Sequence, residues 1–407
     1  MRQFILLLTV VSFFSLFAAS SDKDTVPIGN KKNSVQKKEF DPTEDTSALG
    51  KKDVKAKDVD APAPNVPYIA SVSIFGTSRI NEGILREFLG KDFDQWIEKG
   101  LKGDDSSLLM EQKIIERVKA KYGFPFAEFS IVQFFDPGDY AVHITLDVVE
   151  KKDVEKRMSF LPAPTQEFKD PDGLIKLWGE YENTALDLLE TDQIQPEVQK
   201  CQALHCPFGH KHAKLKKYES LFVNGVKKNK KALLEIQSKD KRSEYRAAAT
   251  YLLPYLNDGP AIIPGLIERV RDNDALVRNN ALRVLGDITE KHKEFDVPIR
   301  PLLPALAYPK TSDRSKAIYA IFHLASNSEA ARDEILKRSV PELLDLLDAK
   351  QPDQKEFAFA VLRKVSGKDF TINDVQSWRN WYTVLNKERG IAKDPAPEKP
   401  KTTKQPF

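Results

Sequence analysis

Apolar residues recur at helical spacing through the back half of the chain, in register with a basic residue and an alanine. Arg246 is followed by Ala249, Leu253 and Leu256; Arg278 by Ala281, Leu285 and Ile288; Arg314 by Ala317, Ile321 and Leu324; Lys355 by Ala358, Leu362 and Val365. Offsets of three, seven and ten place the alanine and both larger side chains on one helix face. The four copies start 32, 36 and 41 residues apart. A second apolar segment precedes each copy, at Leu233 and Leu234, Leu266 and Ile267, Leu302 and Leu303, and Leu343 and Leu344. One such helix pair cannot bury its apolar faces alone, so neighbouring pairs must stack. The pattern predicts an all-α solenoid over 214–390.

A different period governs the segment from Tyr68. Ile69, Val72 and Ile74 form a short strand that turns at Gly76. One helix is expected over 81–89 and a second from about Ser106, striped by Leu108, Leu109, Ile114, Ile115 and Val118 and closed by Gly123. The segments 126–135 and 140–149 read as a hairpin about Asp136, Pro137, Gly138 and Asp139, with Val142, Ile144, Leu146 and Val148 alternating with polar residues. The result is a small α+β domain over 68–150, in the order strand, helix, helix, strand, strand. Pro162, Pro164 and Pro171 then mark a connector, and a helix over 174–189 follows with Leu177, Trp178, Tyr181, Leu186 and Leu189 as its core. The span 151–213 thus holds a connector and the N-terminal capping helices. Pro264, Pro298, Pro301, Pro304 and Pro341 fall at or near the starts of first helices, where a missing amide hydrogen costs little. Thr371 to Asp374 opens a last helix whose Trp378 and Trp381 share one face and cap the array.

Composition adds the ends. After Arg2 an apolar run spans 4–19, and Ala18, Ala19 and Ser20 offer a cut site, so 1–20 reads as a secretory signal peptide. That run is shorter than the roughly 20 residues of a membrane span. The Lys-, Asp- and Pro-rich stretch 21–67 and the tail 391–407 bury too little to order and read as a disordered linker and tail. A net charge of +3 on 407 residues argues against a general nucleic-acid binder. The address is therefore outside the inner membrane, periplasmic or extracellular.

The paired helices, the small residue inside each second helix and the basic residue that opens it resemble the HEAT-repeat (armadillo-type) family. In such repeats an acidic residue in the turn often pairs with the basic side chain. The resemblance implies a ladder of Arg246, Arg278, Arg314 and Lys355, with Asp240 and Asp272 six residues ahead of the first two. Asp313 and Asp353 stand at other spacings from the later two. The stretches 72–76, 122–124 and 142–150 resemble a POTRA domain, the module in front of outer-membrane barrel insertases. That resemblance implies partner binding by adding a strand to an exposed sheet edge.

One cluster carries metal-type chemistry: Cys201, His205, Cys206, His210 and His212. Thiolate and imidazole are zinc and copper ligands, but a structural zinc site prefers two short ligand pairs on separate turns. In an oxidising compartment the expected outcome is a Cys201–Cys206 disulfide pinning the loop before the array, with a metal site as the alternative. The eight lysines over 211–231 are interleaved with Leu215, Tyr218, Phe222 and Val226, an amphipathic basic helix. Its outer face is either solvated or meets an acidic partner or an anionic lipid surface. No nucleophile–base set or phosphate loop is evident among the sequence motifs. These features point to a noncatalytic, cofactor-free scaffold of the cell envelope. It would bind protein partners, no nucleic acid, and at most the surface of a membrane. The alternative is metal binding or sensing through the 201–212 loop.

Overall fold

The computed structural model describes residues 67–136, 139–191, 193–194 and 201–389. The expected signal peptide at 1–20, all but the last residue of the expected linker at 21–67, the expected tail at 391–407, and Pro137 and Gly138 of the hairpin lie outside them. Two hydrophobic cores organise the rest, one drawn from residues 72–148 and the other from 174–378.

The first core belongs to a small α/β unit. It runs β1 (Tyr68–Phe75), α1 (Glu82–Leu89), α2 (Lys91–Leu101), α3 (Ser106–Tyr122), β2 (Phe126–Asp136) and β3 (Asp139–Val149). The sheet order is β1-β3-β2, with β1 parallel and β2 antiparallel to β3. Alternation along β3 sends Val142, Ile144, Leu146 and Val148 into the helix-covered core. His143, Thr145 and Asp147 therefore line the opposite face, and all three are buried. The unit has three helices where two were expected. The unread one, α2, carries Phe93, Trp96, Ile97 and Leu101 at helical spacing, and only Gly90 separates it from α1, so the two helices were not told apart. Trp96 sits 4.4 Å from the Phe129 ring, so this helix is central to the core. In α3, Ile114 and Val118 are buried as expected, but Leu109 is 63 % exposed. Gly123, at φ 71°, closes α3 in the left-handed conformation.

A short α4 (Val154–Arg157) and an extended stretch lead to α5 (Leu174–Glu190). This helix buries Leu174, Ile175, Trp178, Tyr181, Ala185 and Leu188. The expected Leu177, Leu186 and Leu189 are only half-buried, because the two large aromatics set the phase and Ala185 and Leu188 continue it.

The second core is built by α6 (Ala213–Lys228), α7 (Lys230–Lys239), α8 (Ser243–Leu252), α9 (Gly259–Arg269), α10 (Ala275–Lys291), α11 (Thr311–Asn327), α12 (Glu329–Arg338), α13 (Val340–Leu347), α14 (Pro352–Ser366) and α15 (Val375–Glu388). Helices α8, α10, α11 and α14 pack side by side in that order, each against the element before it. Ala249, Ala281, Ala317 and Ala358 have no exposed surface, nor have Leu253, Leu285, Ile321 and Leu362. The helix before α11 is reduced to a 3-10 turn, Leu303–Ala307, in a stretch crowded by Pro298, Pro301 and Pro304. Pro264 lies inside α9 and not at its start. An additional helix, α12, accounts for the 41-residue step between the last two copies. Trp378 on α15 is fully buried, and its ring lies 6.0 Å from Trp381.

Candidate interaction surfaces and an arginine ladder

Three arginines use the same geometry. Arg246 Nη1 donates to the carbonyls of Asp240 (2.8 Å) and Lys241 (3.3 Å). Arg278 Nη1 donates to those of Asp272 (2.9 Å) and Asn273 (3.3 Å), and Arg314 Nη1 to those of Tyr308 (2.8 Å) and Pro309 (2.7 Å). The residue six positions ahead thus contributes its backbone oxygen, and not the carboxylate that the resemblance implied. The carboxylate comes from the next unit. Arg246 grips Asp272 in a fork, Nε at 3.0 Å and Nη2 at 2.6 Å, and Arg278 Nε reaches Asp313 at 2.9 Å. Arg246, Asp272, Arg278 and Asp313 are all buried. Each pair is a charge-assisted bond shielded from water, which locks one unit to the next.

The third rung breaks the succession. The position in α14 that matches Asp313 in α11 is Gln354, whose amide instead donates to Thr311 O and Ser315 Oγ. Arg314 turns to the sheet: its Nη2 donates to Asp147 Oδ1 at 2.6 Å. Asp147 also accepts from Ser130 Oγ (2.7 Å), Thr311 Oγ1 (2.8 Å) and Thr311 N (3.3 Å). Both partners are essentially without solvent exposure. The α/β unit therefore supplies the carboxylate that the fourth repeat lacks. Lys355, the fourth basic residue, is not part of this ladder; it is half-buried and donates to Asn373 Oδ1 at 3.2 Å.

The connector runs along the same edge. Phe160 stacks on the Arg278 guanidinium at 3.9 Å, and Phe75 of β1 on that of Arg314 at 3.8 Å. Leu161 N donates to Arg271 O, Lys241 N to Gln166 O, and Phe168 N to the Asp240 carboxylate. Arg157 Nη1 and Nε bridge Val148 O and Ala307 O at 2.6 and 2.8 Å. Lys350 Nζ donates to Val72 O at 2.9 Å, so the outer edge of β1 is engaged by the α13–α14 turn.

The five cysteine and histidine candidates do not converge. Cys201 and Cys206 form a disulfide. His205 Nδ1 donates to Asp287 at 2.8 Å, and its ring stacks on Tyr251. His210 accepts from Tyr255 OH at 2.6 Å through Nε2 and donates to Leu215 O through Nδ1. Burial lowers the His210 pKa, which keeps the imidazole neutral in this role. His212 Nδ1 accepts from Lys214 N and caps α6. Among the described residues no group of three or more His, Cys, Asp or Glu is placed to hold a metal ion. The loop is a clasp over the inner ends of α8 and α10.

Sequence reading missed an aromatic surface on α11 and α14. Tyr319 lies 4.6 Å from His323 and 5.4 Å from Phe357, and Phe322 lies 5.4 Å from Phe357. All four side chains are half-buried. Tyr319 rests over Gly286 of α10, where a Cβ would come within 3.0 Å of its ring. Burial, together with the neighbouring Glu290 carboxylate, raises the Tyr319 pKa. Burial lowers that of His323. The four rings are thus uncharged at neutral pH, while the Lys364 ammonium lies 5.5 Å from the Phe322 ring centre. These residues occupy ordinary helix-surface positions of the repeat, so their convergence follows only from the packing of neighbouring units.

Comparison with protein-family models and with curated proteins returned no match.

Proposed function

We propose that this chain is a noncatalytic protein-interaction scaffold of the cell envelope, in which a HEAT-type solenoid carries a POTRA-like module fixed to its ladder edge. The observation that carries the reading is the half-buried aromatic platform of Tyr319, Phe322, His323 and Phe357 on adjacent helices. Aromatic clusters of this kind give large contact area at low entropic cost and concentrate binding energy at interfaces. A second contact is available at β2. This strand spans eleven residues, contains no proline and ladders only with β3 among the described strands, so its outer side suits strand addition. Export through the 1–20 segment would bring both surfaces to envelope partners, and no helix among the described residues is long and apolar enough to cross a membrane.

The test is capture from envelope extract on immobilised protein, followed by affinity measurement with the captured partner. The double substitution Tyr319→Ala/Phe357→Ala is expected to weaken binding about thirtyfold or more, the scale of a hot-spot loss. Equal capture by wild type and variant would remove the platform from the account.

A further inference from the structure

The basic helices at the start of the array have charges that folding alone does not explain. Over 211–241 the sequence has ten lysines, no arginine and three acidic residues, a surplus of seven. The whole chain carries +3, so the remainder sums to −4. Lys228 pairs with Asp172, Lys230 with Asp258 and Lys241 with Glu167. Lys214, Lys216, Lys217, Lys227, Lys231 and Lys239 are exposed and form no ion pair among the described residues.

Their placement opposes local stability. Lys214 and Lys216 lie in the first turn of α6, and Lys230 and Lys231 open α7; neither first turn holds an acidic residue. A helix N-terminus is electropositive and favours Asp or Glu, so cations there cost stability. Of these four only Lys230 has an internal partner, Asp258, so the broken rule at Lys214, Lys216 and Lys231 marks a surface selected for something outside the fold.

The pattern also fits one kind of occupant. Lys214, Lys217, Leu221 and Lys228 follow one another at offsets of three, four and seven and share one exposed stripe of α6. Leu221 is 47 % exposed in the middle of it. Beside the stripe, Lys228, Lys230, Lys231 and Lys239, together with Glu235 and Ser238, line a shallow basin of about 610 Å³ around Leu234, four cations to one carboxylate. Flexible ammonium groups around isolated apolar side chains match a plane of phosphates over an acyl boundary. Reading nucleic acid or a phosphopeptide would favour the planar fork of arginine, which this segment lacks. We infer that the lysine face of α6 and α7 docks the protein on a bilayer surface rich in anionic phospholipid, with Leu221 entering the headgroup layer. This inference does not depend on the aromatic platform.

The experiment is co-sedimentation of the full chain with phosphatidylcholine vesicles, with and without phosphatidylglycerol. The reading is the excess bound by the anionic vesicles, which cancels any contribution of the apolar 4–19 run. A clear excess is expected, one that collapses between about 50 and about 300 mM salt as screening shortens the reach of the charges. The triple substitution Lys214→Glu/Lys217→Glu/Lys227→Glu should lower it about a hundredfold or more, near fivefold per lysine. Leu221→Ala should lower it less, and Lys337→Glu on α12 should leave it unchanged. The three lysines make no ion pair, and Lys217 only rests over the Tyr218 ring at 4.8 Å, so an unaltered circular dichroism spectrum is expected; the gain from an acid at the α6 N-terminus and the loss from one at its C-terminus oppose each other, so melting should shift little. No anionic excess, an excess that survives the triple substitution, or binding to duplex DNA or an acidic peptide in place of vesicles would overturn the inference.

Discussion

At the scale of single residues, the guanidinium groups of Arg246, Arg278 and Arg314 solve the same problem three times. Each satisfies two orphan carbonyls of the turn ahead of it and reaches a carboxylate beyond its own unit. Leaving such a buried charge unpaired would cost several kcal/mol, about 3–5. Asp353 shows a buried acid without an arginine: one oxygen has no partner, and burial raises its pKa against hydrogen bonds from Ser315 and the Gln354 backbone. Glu111 on α3 yields a prediction. Burial and the neighbouring Glu128 push its carboxyl up to about 7, against a hydrogen bond from Trp96. The folded state then holds a proton that the unfolded chain releases near the ordinary value of 4.5. The stability this proton confers is fully present below that value and is lost as pH rises through about 7. Urea midpoints should therefore fall between about pH 5 and about pH 8, and Glu111→Gln should flatten part of that slope. An unchanged slope in the variant would place the titration elsewhere. The basic residues of the ladder were legible from their spacing. Their carboxylates were not, because the partner of Arg246 is 26 residues on and that of Arg314 is 167 residues back.

At the scale of elements, periods that repeat were readable and those that occur once were not. The stripes of α8, α10, α11 and α14 carry small and large apolar residues on one face and stand out in the sequence. Helix α2 keeps helical spacing in Phe93, Trp96, Ile97 and Leu101 but has no second copy, and α12 buries only Ala331 and Ile335, so repetition picked out neither. The hairpin register followed from alternation and its turn residues, since β3 lies between two strands and buries both faces. The 201–212 loop was legible as chemistry, and the disulfide among its alternatives is the one observed. That bond closes a loop of only a few residues, with a sequence separation of 5. Chain-entropy reasoning gives about 2 kcal/mol for so short a loop. Cys201→Ser/Cys206→Ser should lower stability by about that amount and loosen the contacts of His205 with Asp287 and of His210 with Tyr255. Hydrogen exchange at Leu204 and Leu215 would register the loosening, and unaltered protection would show that aromatic packing alone holds the loop.

At the scale of the whole molecule, the connector and the sheet occupy one continuous edge of the helical array. From Phe160 at Arg278 to Phe168 at Asp240 the chain runs back along the units. The sheet fills the position beyond them through Asp147, Phe75 and the β1 edge. The aromatic platform, the outer side of β2 and the lysine face are the surfaces proposed above for other molecules. The buried Arg314–Asp147 pair and the Lys350 bond to Val72 O join the two units, so the contacts proposed at β2 and on α11 and α14 would share one framework. The measurement that bears most directly on this arrangement is a double-mutant cycle on Asp147→Asn and Arg314→Gln, read by urea unfolding of the full chain. The two sites are predicted to couple by about 1–3 kcal/mol, with Asp147→Asn alone opening the 159–168 connector to protease. Additive effects with a protected connector would show that the α/β unit is not held on the ladder.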